Sequence, residues 1–157
     1  MIFITVGTQA PFDRLIEYLD KWPHMAKYEC FAQIADAKYL PKNIPFEKFL
    51  TEENFLEIFN RAAVIISHAG MGTIISCLYH QKKILTLPRL AEYREHRNDH
   101  QMDTTKAFSE RGYIYPIFSE RDLGDKLDHL SDLKCLKTIG KHADNPLINF
   151  INDQVSK

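Results

Sequence analysis

Short apolar runs alternate along this chain with segments in which apolar residues recur at steps of three and four positions. The first run covers residues 2–6 and stops at Gly7, as a buried strand would. The next segment has helical spacing, with Pro11 near its start and Pro23 beyond its end. Its apolar positions are Phe12, Leu15, Ile16 and Leu19. The chain therefore opens with a predicted strand followed by a predicted helix.

The same alternation continues to about residue 131. Further strands are predicted over residues 28–35, 44–50, 64–66, 84–88 and 113–118. Helices are predicted over the apolar stripes at 55–62 and 74–79, over 99–111, where Gly112 closes the helix, and over 120–131. An apolar face at Leu147, Ile151 and Val155 predicts a C-terminal helix over 147–155.

This order of elements defines the expected fold class. Strands that alternate with helices, and that are apolar throughout, indicate a parallel sheet covered on both faces. We therefore expect residues 1–157 to form a single doubly wound, Rossmann-like α/β domain. In such sheets ligands bind at the carboxyl ends of the strands, in the loops that precede the helices.

Two glycine-containing turns lie at that edge of the predicted sheet. Gly7-Thr8-Gln9 follows the first strand, and Gly70-Met71-Gly72-Thr73, with His68 just before it, joins the strand at 64–66 to a helix. A helix N-terminus attracts anions, so Thr73 could donate to a phosphate, as could His68 if it were protonated. Neither turn matches GxGxxG or GxxxxGK[ST]. The alternative is that the glycines only permit the turns and the histidine is structural. The two turns together favour a phosphate-bearing ligand.

Composition narrows the class of protein further. A net charge of −1 lacks the basic excess typical of nucleic-acid-binding proteins, so no nucleic-acid partner is expected. Three widely spaced cysteines, Cys30, Cys77 and Cys135, without a CxxC pair, indicate a reduced, cytosolic protein. No apolar run reaches the ~20 residues that span a bilayer, and the start lacks the basic region of a signal peptide. We therefore expect any work at a membrane to depend on another protein.

Three segments carry a resemblance to a known family. VGTQAPFDRLI at 6–16, SHAGMGTI at 67–74 and PRLAEYREHRNDHQ at 88–101 resemble the small subunit of two-part glycosyltransferases. That family includes the catalytic subunit of the dolichol-linked N-acetylglucosamine transferase and bacterial exopolysaccharide counterparts. It is similar to the C-terminal, donor-binding half of the GT-B enzyme that adds N-acetylglucosamine to the peptidoglycan lipid precursor. The resemblance covers roughly residues 1–115.

The resemblance implies roles for particular residues. Gly7, Thr8 and Gln9 would line the cleft toward the acceptor half and the diphosphate, while Gly70, Gly72 and Thr73 would hold the phosphates of a UDP-sugar beside His68. Four further residues match the segment that faces the donor sugar hydroxyls: Asn98, Asp99, His100 and Gln101. Many relatives carry a ribose-binding glutamate where this chain has Ser76, and Glu92 or Glu95 could replace it.

The resemblance also implies a partner. A membrane-associated subunit would bind a lipid-linked saccharide acceptor and recruit this chain to the cytoplasmic face of the membrane. The reaction would need no metal or cofactor beyond the UDP-sugar substrate. Candidates for the general base here are His68, Asp99 and His100, although the partner could supply it. The alternatives are a non-catalytic enhancer or scaffold subunit and, ranked last, a sugar-nucleotide epimerase or hydrolase.

The segment EHRNDHQ also has simpler interpretations. His96 and His100 have the spacing of a helical metal pair, but the glutamate of HExxH and a third ligand are both absent from the pattern, so no zinc site is expected. Arg89, Arg94 and Arg97 could contact phosphates or an anionic sugar, although basic residues near polar loops are usually solvated.

Overall fold

A computed structural model describes residues 1–134 and 136–140 of the protein. The described residues form one parallel sheet with the strand order β3-β2-β1-β4-β5-β6. The strands are β1 Ile2–Thr5, β2 Cys30–Gln33, β3 Phe46–Glu47, β4 Val64–His68, β5 Lys83–Leu87 and β6 Tyr115–Pro116. The α-helices are α1 Asp13–Lys21, α2 Glu52–Arg61, α3 Met71–Tyr79, α4 His100–Glu110 and α5 Glu120–Asp128. The predicted helix over 147–155 and Cys135 lie outside the described residues.

Helices cover both faces of the sheet, which confirms the predicted doubly wound α/β class. Successive side chains of a strand point to opposite faces, so Ile2 and Ile4 of β1 join one core cluster and Phe3 joins the other. The apolar faces of α1 and α5 pack in the first cluster, and those of α2 and α3 in the second. Within residues 1–134 and 136–140, no helix is both long and apolar enough to cross a bilayer.

The outer strands are shorter than predicted. The strand expected over 44–50 pairs only at Phe46–Glu47, and the one expected over 113–118 only at Tyr115–Pro116. Each lies at a sheet edge with one neighbour, and Pro45 and Pro116 have no N–H to donate. Apolar composition therefore overstates the length of an edge strand.

The prediction was partly wrong for the buried face of α3 and correct for the end of α4. In α3, Ile74 and Leu78 are buried, but Ile75 and Tyr79 are 46% and 41% exposed, so only half of the predicted stripe faces the core. The end of α4 follows the prediction, because Gly112 adopts a φ of +73° just beyond it.

The pairing of β1 with β4 fixes where the two glycine turns meet. Thr5 is in register with Ser67, whose hydroxyl donates to the Thr5 carbonyl at 2.6 Å. The connection after β1 leads to β2 on one side of it, whereas β4 lies on the other side. This reversal is the topological switch point, where doubly wound sheets open a crevice for ligands.

Asp20 anchors the loop between β2 and β3. This buried carboxylate accepts hydrogen bonds from the Tyr39 hydroxyl and from the backbone N–H groups of Lys42, Asn43 and Ile44, at 2.6–3.2 Å. Burial alone would raise the pKa of Asp20, but these hydrogen bonds lower it overall. The bond to Asp20 also raises the pKa of Tyr39 to about 12.

We predict that Asp20→Ala destabilises the fold by about 3 kcal/mol, because several buried donors lose their acceptor. Urea unfolding followed by circular dichroism measures the change. Asp125→Ala, at an exposed position of α5, is the control and should stay within about 0.5 kcal/mol of wild type. Equal stabilities of the two variants would show that the loop is not held by Asp20.

Candidate functional site

A cleft of about 250 Å³ opens at the switch point, between the turns that follow β1 and β4. Seven residues predicted to bind a donor line it together: Gly7, Thr8, Gln9, His68, Gly70, Gly72 and Thr73. Val6, Met71 and Arg89 complete its lining. Two segments about sixty residues apart in sequence thus form one surface, as the parallel pairing of their strands requires.

The imidazole of His68 packs between the two turns and explains two of the glycines. A Cβ on Gly70 would lie 2.2 Å from His68 Nε2, and one on Gly7 would lie 3.0 Å from His68 Cε1. Gly7 also has a φ of +74°, whereas Gly70 has a φ of −83°. Gly70 is therefore required for space rather than for backbone conformation, which the sequence pattern did not indicate.

Gly72 and Thr73 occupy the first turn of α3, where backbone N–H groups have no partner within the helix. Gly70 is the N-cap residue and provides no side-chain cap. A Cβ on Gly72 would meet no atom within 4 Å, so the fold does not need a glycine there. The absence of a side chain at Gly72 leaves the N–H groups accessible from the cleft.

His68 was expected to donate to a phosphate only if it were protonated, and its environment disfavours the protonated ring. Burial, followed by electrostatic interactions with Arg89 and His96, lowers the pKa of His68 to about 3. The Ser67 hydroxyl donates its proton to Thr5 and accepts from His68 Nδ1 at 3.2 Å, which places the ring proton on Nδ1. A ring with so low a pKa is a weak general base at neutral pH.

Arg89 provides the fixed positive charge of the cleft. Its side chain is 3% exposed, and its Nη2 donates to the carbonyl oxygens of Val6 at 2.9 Å and Ala10 at 2.6 Å. These carbonyls flank Gly7-Thr8-Gln9, so the guanidinium fastens both ends of the turn. Arg94 and Arg97 are exposed, which separates Arg89 from the other two arginines of the segment. The sequence signal that could have distinguished Arg89 is its position directly after the buried strand β5 and Pro88.

The predicted sugar-facing segment lies outside the cleft lining. Gln101 is 4% exposed, and its amide oxygen accepts the backbone N–H of Arg89 at 3.1 Å. Asp99 accepts from the N–H of Ala91 at 2.8 Å, and His100 Nδ1 forms a hydrogen bond with Asn98 Oδ1. Asn98, Asp99 and His100 are exposed, whereas Gln101 is committed to holding Arg89.

The His96 and His100 rings pack against one another edge to face, with centroids 4.4 Å apart. Among residues 1–134 and 136–140, no group of three or more His, Cys, Asp or Glu side chains is placed to hold a metal ion. The imidazole of His96 instead lies close enough to His68 to affect its pKa.

A larger cleft of about 730 Å³ lies beside α1 and the loop after β5. Arg14 and Glu95 line it and pair through both carboxylate oxygens, at 2.8 and 2.9 Å. Glu95 also accepts a hydrogen bond from the backbone N–H of Leu90. It is therefore not free to take the place of the ribose-binding glutamate that many relatives carry at the position of Ser76. None of the residues predicted to bind a donor lines this larger cleft, and its Arg14 and Glu95 already pair with one another, so we place the candidate site in the smaller cleft.

These features define a doubly wound α/β domain with an anion-suited cleft at its switch point. Residues 1–145 match the glycosyltransferase family 28 C-terminal domain, and the chain therefore belongs to that family. No curated protein sequence matches it at a significant level.

Solved glycosyltransferase structures share the fold. An NMR structure of ALG13 is 17% identical, with a TM-score of 0.62, and 96% of this chain covers 93% of that chain. MurG of Acinetobacter baumannii is 17% identical, with a TM-score of 0.55, and 83% of this chain covers 40% of that chain. SsfS6 of Streptomyces sp. SF2575, complexed with thymidine diphosphate, is 21% identical, with a TM-score of 0.53 and coverages of 81% and 32%. This chain thus spans about a third of the length of SsfS6.

We predict opposite effects of alanine at the two glycines of the second turn. Gly70→Ala should destabilise the fold by roughly 1–3 kcal/mol, because its Cβ would overlap His68. Gly72→Ala should be neutral or stabilise by up to about 1 kcal/mol, because it lies in open space in α3. Urea unfolding compares the two, and equal losses would contradict the packing of His68 on Gly70.

We predict that His68 makes stability depend on pH between 4.5 and 6.5. The unfolded ring, with an ordinary pKa of 6.5, binds a proton that the folded ring, with a pKa of about 3, excludes. The free energy of unfolding should therefore decrease as the pH falls, by at most about 1.4 kcal/mol per pH unit from this group. His68→Gln should flatten this slope in urea titrations, and His129→Gln, at an exposed position, should not. Equal slopes of the free energy of unfolding against pH for wild type and His68→Gln would contradict this role of His68.

Proposed function

We propose that this chain is the donor-binding and catalytic subunit of a heteromeric, metal-independent glycosyltransferase that uses a UDP-sugar. The observation that carries the proposal is the meeting of two glycine turns, a helix N-terminus and the buried Arg89 in one cleft at the switch point. Such a cleft suits a diphosphate. The thymidine diphosphate in the SsfS6 complex gives a precedent for a nucleoside diphosphate on this fold.

In the proposed reaction an acceptor hydroxyl attacks the anomeric carbon of the donor sugar. A new carbon–oxygen bond forms, the bond to the diphosphate breaks, and the hydroxyl proton passes to a general base. The N–H groups at the start of α3, including those of Gly72 and Thr73, would stabilise the charge on the departing diphosphate. No metal or other cofactor takes part in this scheme.

The general base is proposed to come from outside the cleft lining. Of the three candidates, His68 has a pKa near 3 and is a weak base, whereas Asp99 and His100 are exposed at the start of α4. With Asn98, these two residues are proposed to reach the donor sugar. A base on the partner subunit satisfies the same chemistry.

The acceptor half is proposed to belong to a membrane-associated partner that binds a lipid-linked saccharide. The resemblance to the small subunit of two-part glycosyltransferases supports that division, and the chain shares its fold with 93% of ALG13. The partner would recruit this chain to the cytoplasmic face of the membrane. Its products would be polysaccharides or lipid-linked glycans, and no nucleic-acid partner is proposed.

A non-catalytic enhancer or scaffold subunit is the second candidate. Ser76 favours it, because the ribose-binding glutamate of many relatives is absent and Glu95 is held by Arg14. A sugar-nucleotide epimerase or hydrolase ranks last, because such an enzyme needs a complete two-walled cleft.

We predict that the chain binds UDP and that Gly72→Val raises the dissociation constant at least tenfold. The valine side chain would enter the cleft where the fold itself leaves room. Thr73→Ala should weaken binding by a factor of roughly 2–10, as for one lost hydrogen bond. Calorimetric titration with UDP and a panel of UDP-sugars measures both.

Ile75→Val, an exposed substitution on the same helix, is the control and should bind UDP like wild type. Absence of saturable binding by the wild-type chain at millimolar UDP would contradict the donor site and favour the scaffold. Binding that Gly72→Val leaves unchanged would place the nucleotide elsewhere.

A further inference from the structure

Arg89 is buried and rigidly held. Its backbone N–H is bound by Gln101, its Nη2 donates to the Val6 and Ala10 carbonyls, and its guanidinium carbon lies 5.3 Å from the centre of the Phe12 ring. These contacts fix the orientation of the guanidinium before any ligand arrives. A group positioned in this way loses little freedom when it binds.

The charge of Arg89 nevertheless lacks a counterion in the described part of the chain. No carboxylate there forms an ion pair with it, and its Nε is buried without a hydrogen-bond acceptor. Burial lowers the pKa of Arg89, and Glu95 only partly offsets this while its carboxylate is bound by Arg14. An uncompensated buried charge is strongly destabilising, so a fold that retains one has a use for it.

The charges around Arg89 indicate which kind of ligand the cleft suits. Of the described residues that line the cleft, Arg89 is the only one with a permanent charge, and none is a carboxylate. His68 contributes no charge because its ring is neutral. The N-terminus of α3, which lines the same cleft, adds only about half a positive charge. The cleft therefore suits an anion that is attracted by both the helix and the guanidinium.

We propose that Arg89 makes this cleft selective for a diphosphate over a monophosphate, by binding the phosphate that the N-terminus of α3 does not. This inference rests on the proposed function and adds the group that discriminates between ligands. We assign the phosphate contact to Nε, which has no hydrogen-bond acceptor among the described residues, while Nη2 stays on the turn. Arg89 would also stabilise the charge that develops on the leaving diphosphate.

The experiment compares the affinities for UDP and UMP by calorimetric titration. The wild-type chain should prefer UDP by about tenfold or more, and Arg89→Gln should weaken UDP binding by about 10–100-fold while changing UMP binding little. The preference for UDP should therefore be lost. Arg97→Gln removes an equal but exposed charge eight residues away and should keep the wild-type preference.

The ratio of the two affinities separates charge recognition from a structural role. If Arg89 only supports the turn, Arg89→Gln weakens both nucleotides equally, and the unchanged ratio overturns the inference. If Arg89→Gln binds neither nucleotide, Arg89→Lys decides. A preference for UDP in the lysine variant, which keeps the charge, supports the inference, and binding of neither nucleotide overturns it.

Failure of the proposed function gives a different result. If the wild-type chain binds neither UDP nor UMP, the donor site is wrong and the inference falls with it. If the wild-type chain binds UDP and Arg89→Gln binds it equally well, the donor site stands and only the role of Arg89 is wrong.

Discussion

The parallel pairing of β1 with β4 is the constraint on which the rest of the site depends. It brings the turn at Gly7 beside the turn at Gly70, although about sixty residues separate them in sequence. The Ser67 hydroxyl links the two strands by donating to the Thr5 carbonyl, and it also fixes the tautomer of His68. One strand register therefore determines the shape of the cleft, the space available at two glycines and the tautomer of its histidine.

A second set of contacts positions Arg89, the charged residue of the cleft, relative to these turns. Arg89 follows β5, the neighbour of β4, and reaches across to the carbonyls on either side of the β1 turn. Gln101, from the start of α4, holds the backbone of Arg89. The turn after β1 thus holds the guanidinium and α4 holds the backbone, which explains how the fold keeps Arg89 in place although it has no carboxylate partner among the described residues.

The sequence predicted much of the fold and part of the candidate site. Apolar strands alternating with helices identified the doubly wound sheet, and both glycine turns followed from their position after buried strands. Three features depend on tertiary packing and could not be read locally. Arg89 is buried while Arg94 and Arg97 are exposed, Gly70 is required by the ring of His68, and Gln101 faces the interior. Each is decided by a neighbour that is distant in sequence.

The dimensions of the cleft bear on how a transferase would divide its work between two chains. A volume of about 250 Å³ is below the ~300–1,000 Å³ of sites that enclose a small molecule. Under the proposed function this chain therefore forms one wall, suited to the diphosphate, and leaves most of the sugar and acceptor to a second wall. Charge would then dominate binding to the isolated chain, because a single open wall buries little apolar surface. The second subunit would raise the affinity by excluding water from Arg89 and the N-terminus of α3, since electrostatic interactions strengthen as the local dielectric falls.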